Sequence, residues 1–393
     1  MRLKSFSVSN YRSFNEKQTI EFCQNSKNVT AIYGPNSAGK TNLFTATGFF
    51  RDFTRMSTNF NGQRLPFEIF RLNANSEAKP SLFEAEMETE TKCYKYGFQL
   101  LKGKVVDESL QEKSLNKETN FRTIFRRASI PKGRYESFTN DLLKRTRDDA
   151  LVLTKAWEDN NTVAKEIFDW FSHFNPINIK FAPYKAMTAN RIEADPNFKN
   201  QVLALLRAAN LFIQDVKVSK MQMPEDLFKQ LPFTDDFKKS MSKDGLSIST
   251  THLVRDDTGV VTGTATFSME NNESAGTNRI FELASPILDT LEMGGILYLD
   301  EFENDLHPIE CSFLVSLFES ALNKKQAQLI INTHSTMLQD QIGRDNIRFV
   351  SKNGKEESTI ANKIPGSLKA SDTAIERKYL KGLLGFVPKI QEL

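Results

Sequence analysis

Apolar and polar positions alternate loosely at the start of the chain (Leu3, Phe6, Val8), and Thr19-Ile20-Glu21-Phe22 repeats the pattern after a polar turn, so the first thirty residues read as strands. Asn28-Val29-Thr30-Ala31-Ile32-Tyr33 is a short buried strand that runs into a glycine-bearing loop, and Lys40 to about Phe53 is predicted as a helix. Residues 81–101 read as a hairpin, with Leu82, Phe83, Ala85 and Met87 on one arm and Tyr94, Tyr96, Phe98 and Leu100 on the other. Residues 112–244 carry more charge and helical spacing, which predicts helices over 138–157, 162–172 and 196–210 with Trp157 and Trp170 on apolar faces. From residue 245 the strand signals return. Leu246–Thr250 is expected to pair with Val260–Phe267 across the turn Asp256-Asp257-Thr258-Gly259. A helix over 277–291, a strand Ile296–Leu299, a helix Pro308–Leu322 and a strand Leu329–Asn332 complete the pattern. Short apolar strands alternating with helices specify an α/β fold with a parallel sheet.

Composition narrows this picture without adding chemistry. The 393 residues are 39% hydrophobic and 26% charged, enough for a sizeable core and too apolar for wholesale disorder. No apolar run approaches the roughly 18 residues of a membrane span, and the N-terminus lacks the apolar centre of a signal peptide. Cys23, Cys93 and Cys311 stand far apart and form neither a disulfide framework nor a zinc signature, so three ordinary thiols in a reducing cytoplasm are expected. The net charge of +3 excludes a histone-like binder but conceals one asymmetry. Between Lys113 and Arg147 there are ten Lys/Arg and three acids. That stretch is read first as a solvated face, with a nucleic-acid or partner surface as the alternative; aromatic interleaving is thin.

The sharpest signal is Gly34-Pro35-Asn36-Ser37-Ala38-Gly39-Lys40-Thr41, a full G-x-x-x-x-G-K-[ST] phosphate loop between a strand and a helix. The chemistry needs backbone N–H groups curled around a polyphosphate, with glycines where the chain turns tightly. The helix N-terminus adds positive potential. Asn36, Ser37, Gly39, Lys40 and Thr41 are the expected nucleotide-binding residues, Lys40 as a point charge on the outer phosphates and the Thr41 hydroxyl on Mg²⁺. The strand Ile296–Leu299 ends in Asp300-Glu301. Asp300 is the expected metal-side carboxylate, and Glu301 is suited to orient or deprotonate the attacking water. His334, ending the next strand, is assigned to the same edge, where it would contact the outermost phosphate or position Glu301. His307 is ambiguous between a cap and an interface, and His173 and His252 are left as structural. Glu273-Ser274-Ala275-Gly276-Thr277 opens a helix and is either a plain N-cap or a second anion site; two such helix ends suggest ATP held between two protomers.

Taken in order, Tyr11-Arg12-Ser13-Phe14, the loop at 34–41, Ser-x-Gly-Thr at 274–277, the acidic strand end, Asp305-Leu306-His307-Pro308 and His334 resemble the ABC-type ATPase heads of the RecF/SMC group. The nearest likeness is to compact bacterial AAA-type ATPases, the OLD-like and RloA-like proteins and the ATPase subunit of the PARIS phage-defence system. Matching segments cover roughly 1–55, 210–350 and a tail ending near Gly385-Phe386-Val387-Pro388. The resemblance implies a P-loop NTPase of ABC-head type with an inserted, mainly helical subdomain. Its parts would be 1–111, the helical and basic insert 112–244, 245–363, and a helical tail 364–393. It also implies a head-to-head homodimer or larger homo-oligomer, with ATP bound by the phosphate loop of one subunit and by Ser274 and Gly276 of the other, and with Arg12 near the nucleotide. The signature departs from the familiar Leu-Ser-Gly-Gly, and no Q-loop glutamine is assigned, Gln63 included.

The function expected from these residues is hydrolysis of ATP with Mg²⁺. The resemblance extends this to a cytoplasmic sensor or regulatory ATPase of anti-phage defence. No Toprim motif follows the ATPase segments, so a separate nuclease or toxin effector is expected as partner. The alternatives are a RecF-like repair ATPase that binds DNA through the basic stretch, and a nucleotide-gated scaffold with little turnover.

Overall fold

The computed structural model describes residues 1–22, 27–60, 67–115, 120–127, 138–177, 184–222, 244–354, 357–362, 374–384 and 386. The chain divides into two compact units, one made of residues 1–178, 290–303 and 314–393, the other of 179–289 and 304–313.

The first unit holds two sheets. One is antiparallel, built from β1 (Arg2–Ser9), β2 (Gln18–Glu21), β4 (Ser81–Glu88), β5 (Lys92–Leu101), β6 (Lys104–Ser114) and β7 (Arg122–Arg126) in the order β2-β1-β4-β5-β6-β7. The other orders β15 (Thr359–Asn362), β14 (Ile347–Lys352), β3 (Val29–Tyr33), β13 (Gln328–Asn332), β12 (Ile296–Leu299) and β8 (Phe174–Ile177), and all its pairings except β14 with β15 are parallel. β3, β12 and β13 are buried along their whole lengths, as continuous apolar runs in a parallel sheet require. The expected hairpin at 81–101 is present as β4 and β5, with Phe83 opposite Phe98.

The helix Lys40–Met56 packs through Phe44, Phe49, Phe50 and Phe53. Phe50 stacks on Phe98 at 5.7 Å and meets Phe6 edge-on at 5.6 Å, while Phe49 stacks on Phe53 at 5.5 Å. Each buried Phe contributes about 1.5–3 kcal/mol, and together they fix the helix that carries the phosphate loop.

Two expectations need correction. The single helix over 138–157 is two, Asn140–Arg145 and Val152–Glu158. The polar run Thr146-Arg147-Asp148-Asp149 breaks it, with Thr146 extended and the Asp148 carbonyl accepting from Val105 N–H. Trp170 is buried, but Trp157 is 43% exposed and covers Phe168 face to face at 4.7 Å. The expected boundary at 111/112 falls inside β6, because β7 continues the same sheet with Leu110 opposite Phe125. The short helices through Ser172 also belong to the first unit. They are tied to the sheet by Glu108, a fully buried carboxylate that accepts Val152 N–H at 2.7 Å, Leu153 N–H at 2.9 Å and the Tyr96 hydroxyl at 3.0 Å.

The second unit contains the helices Tyr184–Ala194 and Pro196–Ala208 and a three-stranded antiparallel sheet. That sheet runs β11 (Val261–Ser268), β10 (Asp244–Arg255), β9 (Asp215–Gln222). Thr250 pairs with Phe267 in the expected hairpin, whose first strand is longer than the sequence pattern predicts. The helix Ala275–Met293 starts in the second unit and ends in the first. From the tail, Ile375–Leu380 is helical, and Tyr379 and Phe386 stack on Phe349 at 5.6 and 4.6 Å. Gly385, Val387 and Pro388 lie outside the described residues, as do Cys23 and Gln63.

Candidate functional site

The site grows from the C-terminal edge of the parallel sheet. β3 delivers the chain into residues 34–41, and the loop sits where only glycine fits. A Cβ at Gly34 would run into the carbonyl oxygen of Val350 on β14. Gly39 has φ +109°, and a Cβ there would collide with the Thr359 hydroxyl. Gly39 also starts the helix Lys40–Met56 with no side-chain cap, so the first amides of that helix are left for a ligand.

Around the loop lies a cavity of about 450 Å³ lined by Asn36, Ser37, Gly39, Lys40 and Thr41 on one side and by Asp300, Glu301, Asn332 and His334 on the other. A roomier cavity of about 500 Å³ opens near the far end of the same helix, between Arg55, Met56, Trp157 and Phe168, but it has no glycine loop. The smaller one gathers the glycine loop, Lys40, the two carboxylates and the imidazole.

Lys40 folds its ammonium onto the loop's own carbonyls, at 2.7 Å from Gly34 O and 3.3 Å from Pro35 O. Burial pushes its pKa down to about 8, opposed by the carboxylates of Glu303, Asp300 and Glu301. Asp300 is buried, which raises its pKa; the Asn332 and Thr41 side chains donate to it and hold the shift back. The Asn332 amide stands 2.7 Å from Asp300 Oδ1 and 2.9 Å from the Lys40 carbonyl, and its own oxygen accepts the Tyr298 hydroxyl at 3.0 Å. One amide on β13 therefore locks the acidic strand end to the phosphate loop. The strand order explains why: β13 lies between β3 and β12.

Glu301 adopts φ +52°, a left-handed conformation that costs a non-glycine residue about 1–3 kcal/mol. His334 is exposed at the cavity, where partial desolvation and then the charge of Lys40 lower its pKa and favour the neutral ring. Its backbone N–H donates to Glu303 Oε1 at 2.6 Å, while Glu303 Oε2 is buried with no hydrogen-bond partner among the described residues. The Tyr33 hydroxyl holds the following carbonyl, Ser335 O, at 2.9 Å.

Arg12 lies on the tip of a tight turn in which Tyr11 and Phe14 exchange backbone hydrogen bonds at 2.9 and 2.8 Å. Its guanidinium donates to Thr45 Oγ1 at 3.3 Å, one turn past Thr41, and lines a separate cavity of about 350 Å³ with Asn42. Ser13, beside it, accepts from Asn42 Nδ2 at 2.8 Å and stands 2.8 Å from the Thr359 hydroxyl, which also donates to Ala38 O at 2.8 Å. Ser13 and Thr359 thus brace the back of the loop. Ser13 entered the sequence reading only as part of Tyr11-Arg12-Ser13-Phe14, with no role of its own, and Thr359 did not enter it; neither has a local signal for bracing the loop. Asn332 and Glu303 did have one: a polar residue closing an apolar strand, and a third carboxylate after Asp300-Glu301.

Ser274 and Gly276 belong to the second unit. There Ser274 Oγ accepts Thr277 N–H at 3.0 Å, the bond of an N-cap, and a Cβ at Gly276 would lie 3.1 Å from Asp305 O. Glu273 is held by the Thr250 hydroxyl and by His252 Nε2, the latter at 2.8 Å. His307 caps its helix, accepting Ile309 N–H on Nδ1 at 3.2 Å. Within the basic stretch, Lys113, Arg122, Arg126, Arg127, Arg145 and Arg147 each face a carboxylate, namely Glu86, Glu112, Asp107, Glu108, Asp141 and Asp149. Lys117, Lys132 and Arg134 lie outside the described residues. Among the described residues no helix is long and apolar enough to cross a membrane.

Comparison with solved structures finds loose likenesses over nearly the whole chain. The SMC head domain from Thermotoga maritima is 14% identical, with 93% of this chain and 99% of that one covered at a TM-score of 0.40. The Smc head domain with an extended coiled coil, bound to the C-terminal domain of ScpA derived from Pyrococcus furiosus, is 12% identical over 92% and 95%, at 0.45. The recombination mediator protein RecF of the RecFOR pathway is 15% identical over 92% and 98%, at 0.34. No curated protein matches. The family match rests instead on sequence and spans residues 29–340, from the strand that enters the phosphate loop past His334: the chain belongs to the family described as "AAA domain, putative AbiEii toxin, Type IV TA system".

Proposed function

We propose that this protein binds ATP with Mg²⁺ in the cavity at residues 34–41 and hydrolyses it. The observation that carries the reading is the convergence of the Thr41 hydroxyl and the Asn332 amide on Asp300, directly across from an uncapped helix start and Lys40. Thr41 and Asp300 are hard oxygen donors of the kind Mg²⁺ takes, with waters and phosphate oxygens completing the set. The ion would supply neutralisation of the charge that builds on the outer phosphates. Lys40 exchanges its two loop carbonyls for phosphate oxygens. Glu301 accepts a proton from the water that attacks the γ-phosphorus, as the bond to the leaving ADP oxygen breaks. His334, neutral at ordinary pH, offers a ring N–H to the transferred group or to Glu301.

Ser274 and Gly276 of a second copy would close each site, which makes turnover conditional on assembly. At the level of biology we place the chain as the regulatory ATPase of an anti-phage defence system acting with a separate nuclease or toxin. The family description, with its "putative AbiEii toxin, Type IV TA system", supports that placement.

The test compares two variants in ATP binding by calorimetry and in phosphate release. Lys40→Ala should lose binding. Glu301→Gln should bind ATP as well as the parent protein, accumulate the ATP-bound assembly and turn over about 10²–10⁴ times more slowly. Normal turnover by Glu301→Gln would exclude Glu301 as the proton acceptor; negligible turnover by both parent and variant would make the protein a nucleotide-gated scaffold.

A further inference from the structure

The three-stranded sheet of the second unit has two edges of different character. β9 carries Asp215 and Lys217, and Lys199 sits 2.6 Å from Asp215. Natural sheets guard an open edge with such charges, because bare N–H and C=O groups otherwise template another strand. β11 forms the opposite edge and has no charge and no proline from Val261 to Ser268. Its residues are exposed on both faces except Ala265 and Ser268, which are half-buried. Pairing with β10 slips by one residue between Val261 and Gly263 and is regular from Gly263 to Ser268.

The sequence of this edge reads nearly the same in both directions. Around Thr264 it runs Val261-Thr262-Gly263-Thr264-Ala265-Thr266-Phe267. An antiparallel copy centred on Thr264 would set Gly263 against Ala265, Thr262 against Thr266 and Val261 against Phe267. Threonine pairs and aromatic–β-branched pairs are among the favourable cross-strand neighbours, and small residue meets small residue between them. We infer that β11 pairs with β11 of a second copy of this chain about a two-fold axis at Thr264, an isologous contact independent of nucleotide. The Thr264 self-pair and the pair of Gly263 with Ala265 lie in the regular stretch. Val261 and Phe267, 46% and 40% exposed in the single chain, gain cover from each other.

A single-cysteine scan tests the register. Paired Cα atoms across an antiparallel ladder stand about 4.5–5.5 Å apart, inside the roughly 4.4–6.8 Å range of a disulfide. Thr264→Cys, opposite its own copy, should cross-link under mild oxidation in nucleotide-free protein. Thr262→Cys and Thr266→Cys would each sit four residues, about 13 Å, from their copies and should not. The parent chain, in which Cys93 and Cys311 are buried, gives the background. As a check on folding, Thr264→Lys and Thr264→Glu should each sediment as monomers without nucleotide, and an equal mixture should restore the dimer. Nucleotide-free parent protein that stays monomeric at tens of micromolar, cross-linking equal at all three positions, or no rescue on mixing would each overturn the inference.

Discussion

Two helices of this chain begin on small residues, and they leave their first amides in opposite conditions. Lys40–Met56 starts from Gly39, in a left-handed conformation, with no side chain turned back onto its amides. Ala275–Met293 starts from Ser274, whose hydroxyl takes the Thr277 N–H at 3.0 Å and lies 2.9 Å from the Thr277 hydroxyl. The first has no side chain bonded to its leading amides; the second has satisfied one of its own. Similar composition thus gives two different chemical objects, and the deciding variable is whether a side chain competes with the ligand. A second copy that used Ser274 for phosphate would have to take its hydroxyl from that cap, at a cost of about 1 kcal/mol.

The contrast can be broken at the first helix with the largest effect. Gly39→Ala combines a left-handed alanine with a collision at Thr359, so calorimetry should find ATP binding lost and the melting curve should report about 1–3 kcal/mol of destabilisation. Next, Asn332→Ala removes the amide that joins Asp300 to the Lys40 carbonyl. Turnover should fall by roughly 10- to 100-fold with ATP binding less affected, since the lost group positions others; an unchanged turnover would show that the lock is dispensable. The third effect is a pH dependence. In the free protein Lys40 is held down to about 8, and bound phosphate favours its charged form, so binding takes up a proton once the pH exceeds that value. ATP affinity should be level below it and weaken by at most about tenfold per pH unit above it. Titrations that show no break near there would place the ammonium elsewhere. The smallest effect sharpens the second helix: Ser274→Ala should cost about 0.5–2 kcal/mol of stability as a lost cap. If phosphate release at saturating ATP falls as well, by more than Ala275→Gly produces, the composite site gains support.

Residues 34–41 and 300–301 were legible because the loop, strand and helix that define them are consecutive. Asn332, Ser13 and Thr359 were harder, since each acts across the sheet: Asn332 donates to the carbonyl of Lys40 at a separation of 292 residues, and Thr359 meets Ser13 at 346. The α/β class follows from strand length and apolar runs, but the order β14-β3-β13-β12 depends on which strands pair, and no local pattern encodes that. The helix expected over 138–157 shows the reverse failure. Its apolar spacing was real, yet a backbone hydrogen bond from Val105 on β6 to the Asp148 carbonyl captured the middle of it. The local excess of positive charge at 113–147 read first as a solvated face, with a nucleic-acid surface as the alternative; its described members in ion pairs find acids mostly outside the stretch, on neighbouring strands.

The pairing of β3 has a consequence in time. Its neighbours on either side are β13, with Leu329 opposite Val29, and β14, with Ile347 opposite Ala31. A ribosome that adds about 5–20 residues each second releases those partners some fifteen seconds or more after β3 itself. Through that interval β3 lacks both of its native strand neighbours. On the proposed function, fragments that end before β13 are expected not to retain ATP, and the sheet is complete around β3 only once synthesis has passed β14.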